Sequence, residues 1–243
     1  MIEILQWSTL AICGAAAVAR IPSAVRGENR SLFYIFVLAT LAILLSIDGP
    51  YVAIDRLLGG TNVTNLILRF VIFAVILLVG YRIARGFGAP ASIRLILGPI
   101  GLGILAVIAT ATLVLFLLAD TEGSVAGLTT LPSRSPRNAQ LIELYAAAGR
   151  LYPAYVAASL LPATLAAASS NLAASIRWGA GLLSVAFVAL PAGTLYPLLP
   201  DELGPLKALI NYLAVLSLMG GLLTIWIGRV RAQPPARRSS TAK

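Results

Sequence analysis

Seven long apolar runs decide what this chain can fold into. They lie at approximately Ile4 to Ala19, Ser31 to Ile47, Asn65 to Ile83, Leu95 to Ala119, Leu141 to Ala168, Trp178 to Leu198 and Leu206 to Gly228. A helix rises about 1.5 Å per residue, so roughly 20 apolar residues cross a hydrocarbon core about 30 Å thick. Backbone amides in lipid must be satisfied within the segment or in a closed barrel. These runs are continuous rather than alternating at every second residue, which selects helix. The expected fold is therefore all-α, a polytopic membrane helix bundle of about seven transmembrane helices. The bundle is expected over residues 1–228, with 229–243 a disordered basic cytoplasmic tail.

Charge supports that class. Only 11% of residues are charged and 59% are hydrophobic, whereas a soluble domain carries about a quarter charged residues. The net charge of +9 does not point to nucleic acid, because the basic residues sit at the ends of apolar runs. Orientation follows from their distribution, since cytoplasmic loops collect Arg and Lys. With the N-terminus outside, Arg20, Arg26, Arg30, Arg82, Arg85, Arg94, Arg177 and the basic tail fall inside. Of the acidic residues only Glu28 joins them. The C-terminus is then cytoplasmic, and the chain is expected in the cell membrane as a multi-pass protein. Its tail would sit near anionic lipid headgroups. Ala17-Val18-Ala19 resembles a signal-peptidase site, but Glu3 opens the segment and no basic n-region precedes it, which suits an N-out anchor.

Two outer connections exceed a turn. Asp48 to Thr64 contains an amphipathic stretch stopped by Gly59-Gly60, expected to lie at the interface, with Thr64 or Asn65 capping the next helix. Asn62-Val63-Thr64 matches the glycosylation acceptor pattern. Asp120 to Asn138 reads as a flexible loop.

The chain holds no histidine and one cysteine, Cys13. A Ser-His-Asp triad, a histidine-ligated metal and a cysteine-built metal site are excluded by inventory. Lys207 lies at the outer end of the last helix, beside Asp201 and Glu202, so the seven helices do not make a retinal protein. No catalytic residue, metal site or cofactor is expected.

The remaining candidates are polar residues inside apolar helices. Glu143 and Arg150 are seven apart, about two turns, on one helix face. Arg69 lies one turn into its helix on the same outer side. One reading clamps Glu143 between Arg69 and Arg150 in an outward-facing vestibule, with Tyr152 and Tyr155 in its wall. The other has the same charges snorkelling to the interface. Pro153, Pro162, Pro191 and Pro197 either kink helices around a cavity or are merely tolerated. Gly98, Gly101, Gly103, Gly220, Gly221 and the face from Ala157 to Ala168 read as close helix packing.

The segment Asp48-Gly49-Pro50-Tyr51 through Ile54-Asp55-Arg56-Leu57-Leu58-Gly59-Gly60-Thr61-Asn62, together with Arg150-Leu151-Tyr152-Pro153, resembles a group of uncharacterised actinobacterial seven-helix membrane proteins labelled as transporters. The resemblance implies transport. Two function classes follow. The chain is a small transporter or ligand-responsive sensor using Arg69, Glu143, Arg150, Tyr152 and Tyr155. Alternatively, it is a structural or regulatory subunit packing against a membrane-protein partner or another copy of itself.

Overall fold

The structure is a computed structural model and describes residues 2–27, 30–125, 127–128, 135–198 and 204–232. Among these residues the chain is helical, with no strand. The helices are α1 (Ile2–Val25), α2 (Arg30–Leu44), α3 (Asp48–Leu57), α4 (Val63–Gly86), α5 (Pro90–Leu97), α6 (Pro99–Leu118), α7 (Pro136–Ala168), α8 (Ala174–Ala192) and α9 (Gly204–Ala232). A 3-10 turn, Gly193–Leu198, follows α8.

Five segments are long and apolar enough to cross a membrane: α1, α4, α5 with α6, α7 and α8. A sixth is reached if α2 and α3 count as one bent span. In α9 the apolar stretch, Tyr212–Gly228, is shorter. Several boundaries differ from the sequence expectation. The second run stops at Leu44, and the chain then turns through 88° into α3. The fourth run begins earlier, at Pro90, and is broken at Gly98-Pro99. The last helix continues past Gly228 to Ala232, so the expected start of the tail at 229 falls within the helix; 233–243 lies outside the described residues.

The break between α5 and α6 has a backbone cause. Proline lacks the N–H that would reach the carbonyl four residues back, so Pro99 leaves the Leu95 carbonyl without a helical donor. The Tyr155 hydroxyl of α7 supplies one instead, at 2.6 Å. The tight break also explains the glycines. A Cβ on Gly98 or Gly101 would run into backbone carbonyls of Arg94, Leu95 and Ile96, while Gly103 faces open space. Gly98 and Gly101 therefore serve the break rather than the helix–helix packing read from the sequence.

Close packing is real elsewhere. α8 and α9 cross where Gly179 meets Gly221: a Cβ on either would stand 2.8 Å from the other's carbonyl oxygen. On α7, Ala157, Leu160, Thr164 and Ala167 are buried, and the Ser184 hydroxyl of α8 bonds Thr164 Oγ1 at 2.9 Å. α7 is the central post, packing against α4, α5, α6 and α8. Its residues Tyr152, Val156, Ala157 and Leu160 meet Phe73 and Ala84 of α4, Ile96 of α5, and Leu183 and Phe187 of α8. A second apolar cluster, Leu66, Phe116, Leu128, Ile142 and Tyr145, lies toward the other end. α1 packs chiefly on α2 at the periphery.

Candidate functional site

The region between α3 and α4 is organised by one buried carboxylate. Gly59 and Gly60 adopt positive φ, 102° and 70°, which lets the chain reverse after α3. Asn62 follows at φ 57°, a left-handed conformation that Asn tolerates better than most residues. This reversal brings the backbone back over Asp55. Its carboxylate accepts the N–H of Asn62 at 3.0 Å, the N–H of Thr64 at 3.1 Å and the Ser124 hydroxyl at 2.8 Å. Asp55 thus caps α4, in place of the local cap expected from Thr64 or Asn65. Its negative charge also lies at the positive end of the α4 dipole.

Asn62 extends the same knot. Its Oδ1 accepts from the Tyr51 hydroxyl at 2.7 Å and from the Val125 N–H at 3.1 Å. Its Nδ2 donates to the Thr121 carbonyl at 2.8 Å and to the Gly123 carbonyl. With its amide occupied and its side chain buried, Asn62 is not available as a glycosylation acceptor in this fold. Burial, with the Asp55 charge beside it, pushes the Tyr51 phenol well above its ordinary range. Tyr51 accordingly remains a donor at neutral pH.

Partners from the α6–α7 connection complete the knot. Thr121 Oγ1 donates to the Thr61 carbonyl at 2.7 Å, and the Gly123 N–H to the Gly60 carbonyl at 3.1 Å. At the start of α7, Asn138 bonds both backbone polar groups of Asp120, at 2.8 and 2.9 Å. Residues 120–125 are therefore pinned, contrary to the flexible loop expected there; 129–134 lies outside the described residues. The Asp55 carboxylate is taken up by three donors. It is a structural acceptor rather than a poised base.

Below this knot a polar column descends between α4 and α7. Asn65 Oδ1 accepts the Tyr145 hydroxyl at 2.9 Å. One turn further along α4, the Arg69 guanidinium lies over the Tyr145 ring, 5.4 Å from its centroid. It also fills the space a side chain at position 149 would occupy: a Cβ on Gly149 would sit 2.5 Å from Arg69 Nη1. Pro153, with no N–H of its own, cannot donate to the Gly149 carbonyl. Next come Phe73 and Tyr152, packed edge to face with centroids 5.6 Å apart. Tyr152 is fully buried, and among the described residues its hydroxyl has no hydrogen-bond partner.

The five residues singled out from sequence divide accordingly. Arg69 and Tyr152 line the column. Tyr155 stacks on Tyr152, but its hydroxyl is committed to Leu95. Glu143 is exposed and forms no ion pair with Arg69 among the described residues, where the guanidinium meets Tyr145 and Gly149 instead. The clamp of Glu143 between two arginines is thus not formed. Helix phase explains this: Glu143 and Arg150 share a face, but the face meeting Arg69 is Tyr145–Gly149–Tyr152, about 200° around from Glu143. Arg150 is half-buried on α7, away from that stripe.

Sequence reasoning missed Tyr51, Asp55, Asn62 and Ser124 as a unit. An acidic residue one turn before Gly-Gly, followed by Asn at a helix start, was the available signal. Comparison with protein-family models, with curated proteins and with solved structures finds no match.

Proposed function

We propose that the chain is a seven-span protein of the bacterial inner membrane, N-terminus outside and C-terminus cytoplasmic. In this reading it performs no covalent chemistry and acts as a small transporter or ligand-responsive sensor. Arg69 provides the charge of its outward-facing site.

The observation carrying this reading is Arg69 itself. A cation inside an apolar bundle is costly and usually functional. Arg69 has no acidic partner among the described residues, and the buried Tyr152 hydroxyl lies about one turn further in. An anionic or zwitterionic solute reaching Arg69 would meet a guanidinium and aromatic walls. Orientation draws support from helix ends. Arg82 of α4 bonds Ser31 of α2, and Gly228 of α9 abuts Ser175 of α8, so each contact joins two helix ends that carry arginines. The knot of Asp55 and Asn62 belongs to the opposite end of α4.

The subunit reading has less support, because two small-residue faces that it offered to a partner are engaged within the chain. Gly98 and Gly101 serve the α5–α6 break, and the Ala157–Ala168 face meets α8.

Two measurements test the proposal. Reporter fusions after Arg94 and after Lys243 are expected to report cytoplasm, and one after Thr61 the exterior. Thermal unfolding of the detergent-purified protein against a panel of anionic and zwitterionic solutes is expected to find at least one stabiliser of the wild type that has no effect on Arg69→Gln. A panel without effect, combined with a stoichiometric co-purifying membrane protein, sinks the ligand reading in favour of the subunit.

A further inference from the structure

Three helix ends bring arginines together on the side opposite the knot. α1 ends near Arg26, α2 begins at Arg30, and α4 ends near Arg82 and Arg85. Gly27, at φ 84°, reverses the chain between α1 and α2 and leaves room for the Arg30 guanidinium beside it. Arg30 Nε donates to the Ala24 carbonyl at 3.3 Å, which folds this side chain back across the α1–α2 turn. Arg82 Nη1 donates to Ser31 Oγ at 3.3 Å, which fixes the α4 end against the α2 start. One turn on, Arg85 Nη1 lies 3.3 Å from the Tyr81 hydroxyl. None of these arginines is ion-paired with an acidic side chain among the described residues.

Each guanidinium spends one N–H on these contacts and keeps others, and a guanidinium has five donors in a fixed fork. Arg30 precedes Ser31 in the chain and Arg82 bonds it, so the two side chains carry several unspent donors around one helix start. A phosphate matches that geometry. Beside the cluster stand exposed apolar side chains: Ile21 and Val25 in the last turns of α1, and Tyr34 in the second turn of α2. A free anion has no use for them. A lipid does, since its acyl chains would run along these residues while its phosphate sits on the arginines.

We propose that Arg30, Ser31 and Arg82 form a binding site for the phosphodiester headgroup of an anionic phospholipid, with Ile21, Val25 and Tyr34 against its acyl chains. The site rests on the membrane reading given above and refines its cytoplasmic-leaflet contact from a diffuse attraction to a defined position.

The test uses the full chain purified in nonionic detergent, with thermal unfolding and native mass spectrometry as readouts. Phosphatidylglycerol at tenfold excess over its dissociation constant is expected to raise the unfolding midpoint by about 3–6 °C, with one lipid retained per chain. Phosphatidylcholine and inorganic phosphate are expected to do neither. Arg30→Gln and Arg82→Gln should each weaken lipid retention about fivefold. Arg82→Lys keeps the charge and should retain part of the binding if the glutamine variants fold poorly. Arg177→Gln, at the start of α8, should bind as wild type. The proposal is overturned if inorganic phosphate alone gives the full shift, which means a free-anion site. It is equally overturned if Arg177→Gln loses as much as Arg82→Gln, which means diffuse charge, or if phosphatidylglycerol has no effect. A chain that stays soluble without detergent would instead defeat the membrane reading, a separate outcome.

Discussion

The Asp55 carboxylate accepts the backbone N–H of Thr64 at 3.1 Å, so α4 is capped by a residue nine positions upstream rather than by a neighbour. A helix start normally finds its acceptor at the N-cap residue. Here the N-cap, Asn62, spends its side chain on the α6–α7 connection, and Asp55 takes over. Asp55→Ala leaves two backbone N–H groups and the Ser124 hydroxyl without their acceptor. The expected loss is about 3 kcal/mol or more, read as a lowered unfolding midpoint in detergent. Asp55→Asn keeps one acceptor oxygen and should lose less.

The Tyr51 phenol gives this knot a pH signature. Its folded pKa is raised, so its contribution is fully present below the ordinary tyrosine value of about 10. That contribution is lost as pH rises further toward the folded value. Stability should therefore be level in this respect from pH 7 to 9 and decline above about 10. Tyr51→Phe should be less stable at neutral pH, through loss of the bond to Asn62, and should decline less steeply above pH 10. Equal slopes in the two proteins would remove Tyr51 from the account.

Arg69 and Gly149 are expected to be coupled. Gly149→Ala drives a methyl group into the guanidinium, with atoms as close as 2.5 Å, and should cost about 1–3 kcal/mol. The double variant Arg69→Ala/Gly149→Ala should cost clearly less than the sum of the singles, because the truncated side chain vacates the space. Additive effects would mean that the two residues do not share one site.

A second cycle tests the helix break. Tyr155→Phe removes the donor to the Leu95 carbonyl and should cost about 0.6–1 kcal/mol. In a Pro99→Ala background the restored N–H can reach that carbonyl, and the same substitution should cost less.

Much of the architecture was readable because long apolar helices write their length into the chain. The apolar runs, the stop of α3 at Gly59-Gly60 and the arginines at helix ends all follow from local pattern. What escaped was non-local. Asp55 read as one more outer-side charge, since its burial depends on Ser124, 69 residues later. Glu143 and Arg69 read as partners because depth alone brought them together. Their separation appears only once the stripe Tyr145–Gly149–Tyr152 is known to face α4. The Gly98-Pro99 break was a different kind of miss. The dipeptide is a standard turn signal, but it lay inside an apolar run and was absorbed into a span.

That distance between Asp55 and Ser124 sets a timetable for biogenesis. Ribosomes add about 5–20 residues per second, so Asp55 waits roughly 3–14 s after its own synthesis for its last partner. During that interval the Asp55 carboxylate and the Asn62 amide lack their partners from residues 121–125, and the knot stays open. Only arrival of residues 121–125 seals it, which makes truncations just before and just after this segment a natural pair for comparing protease sensitivity.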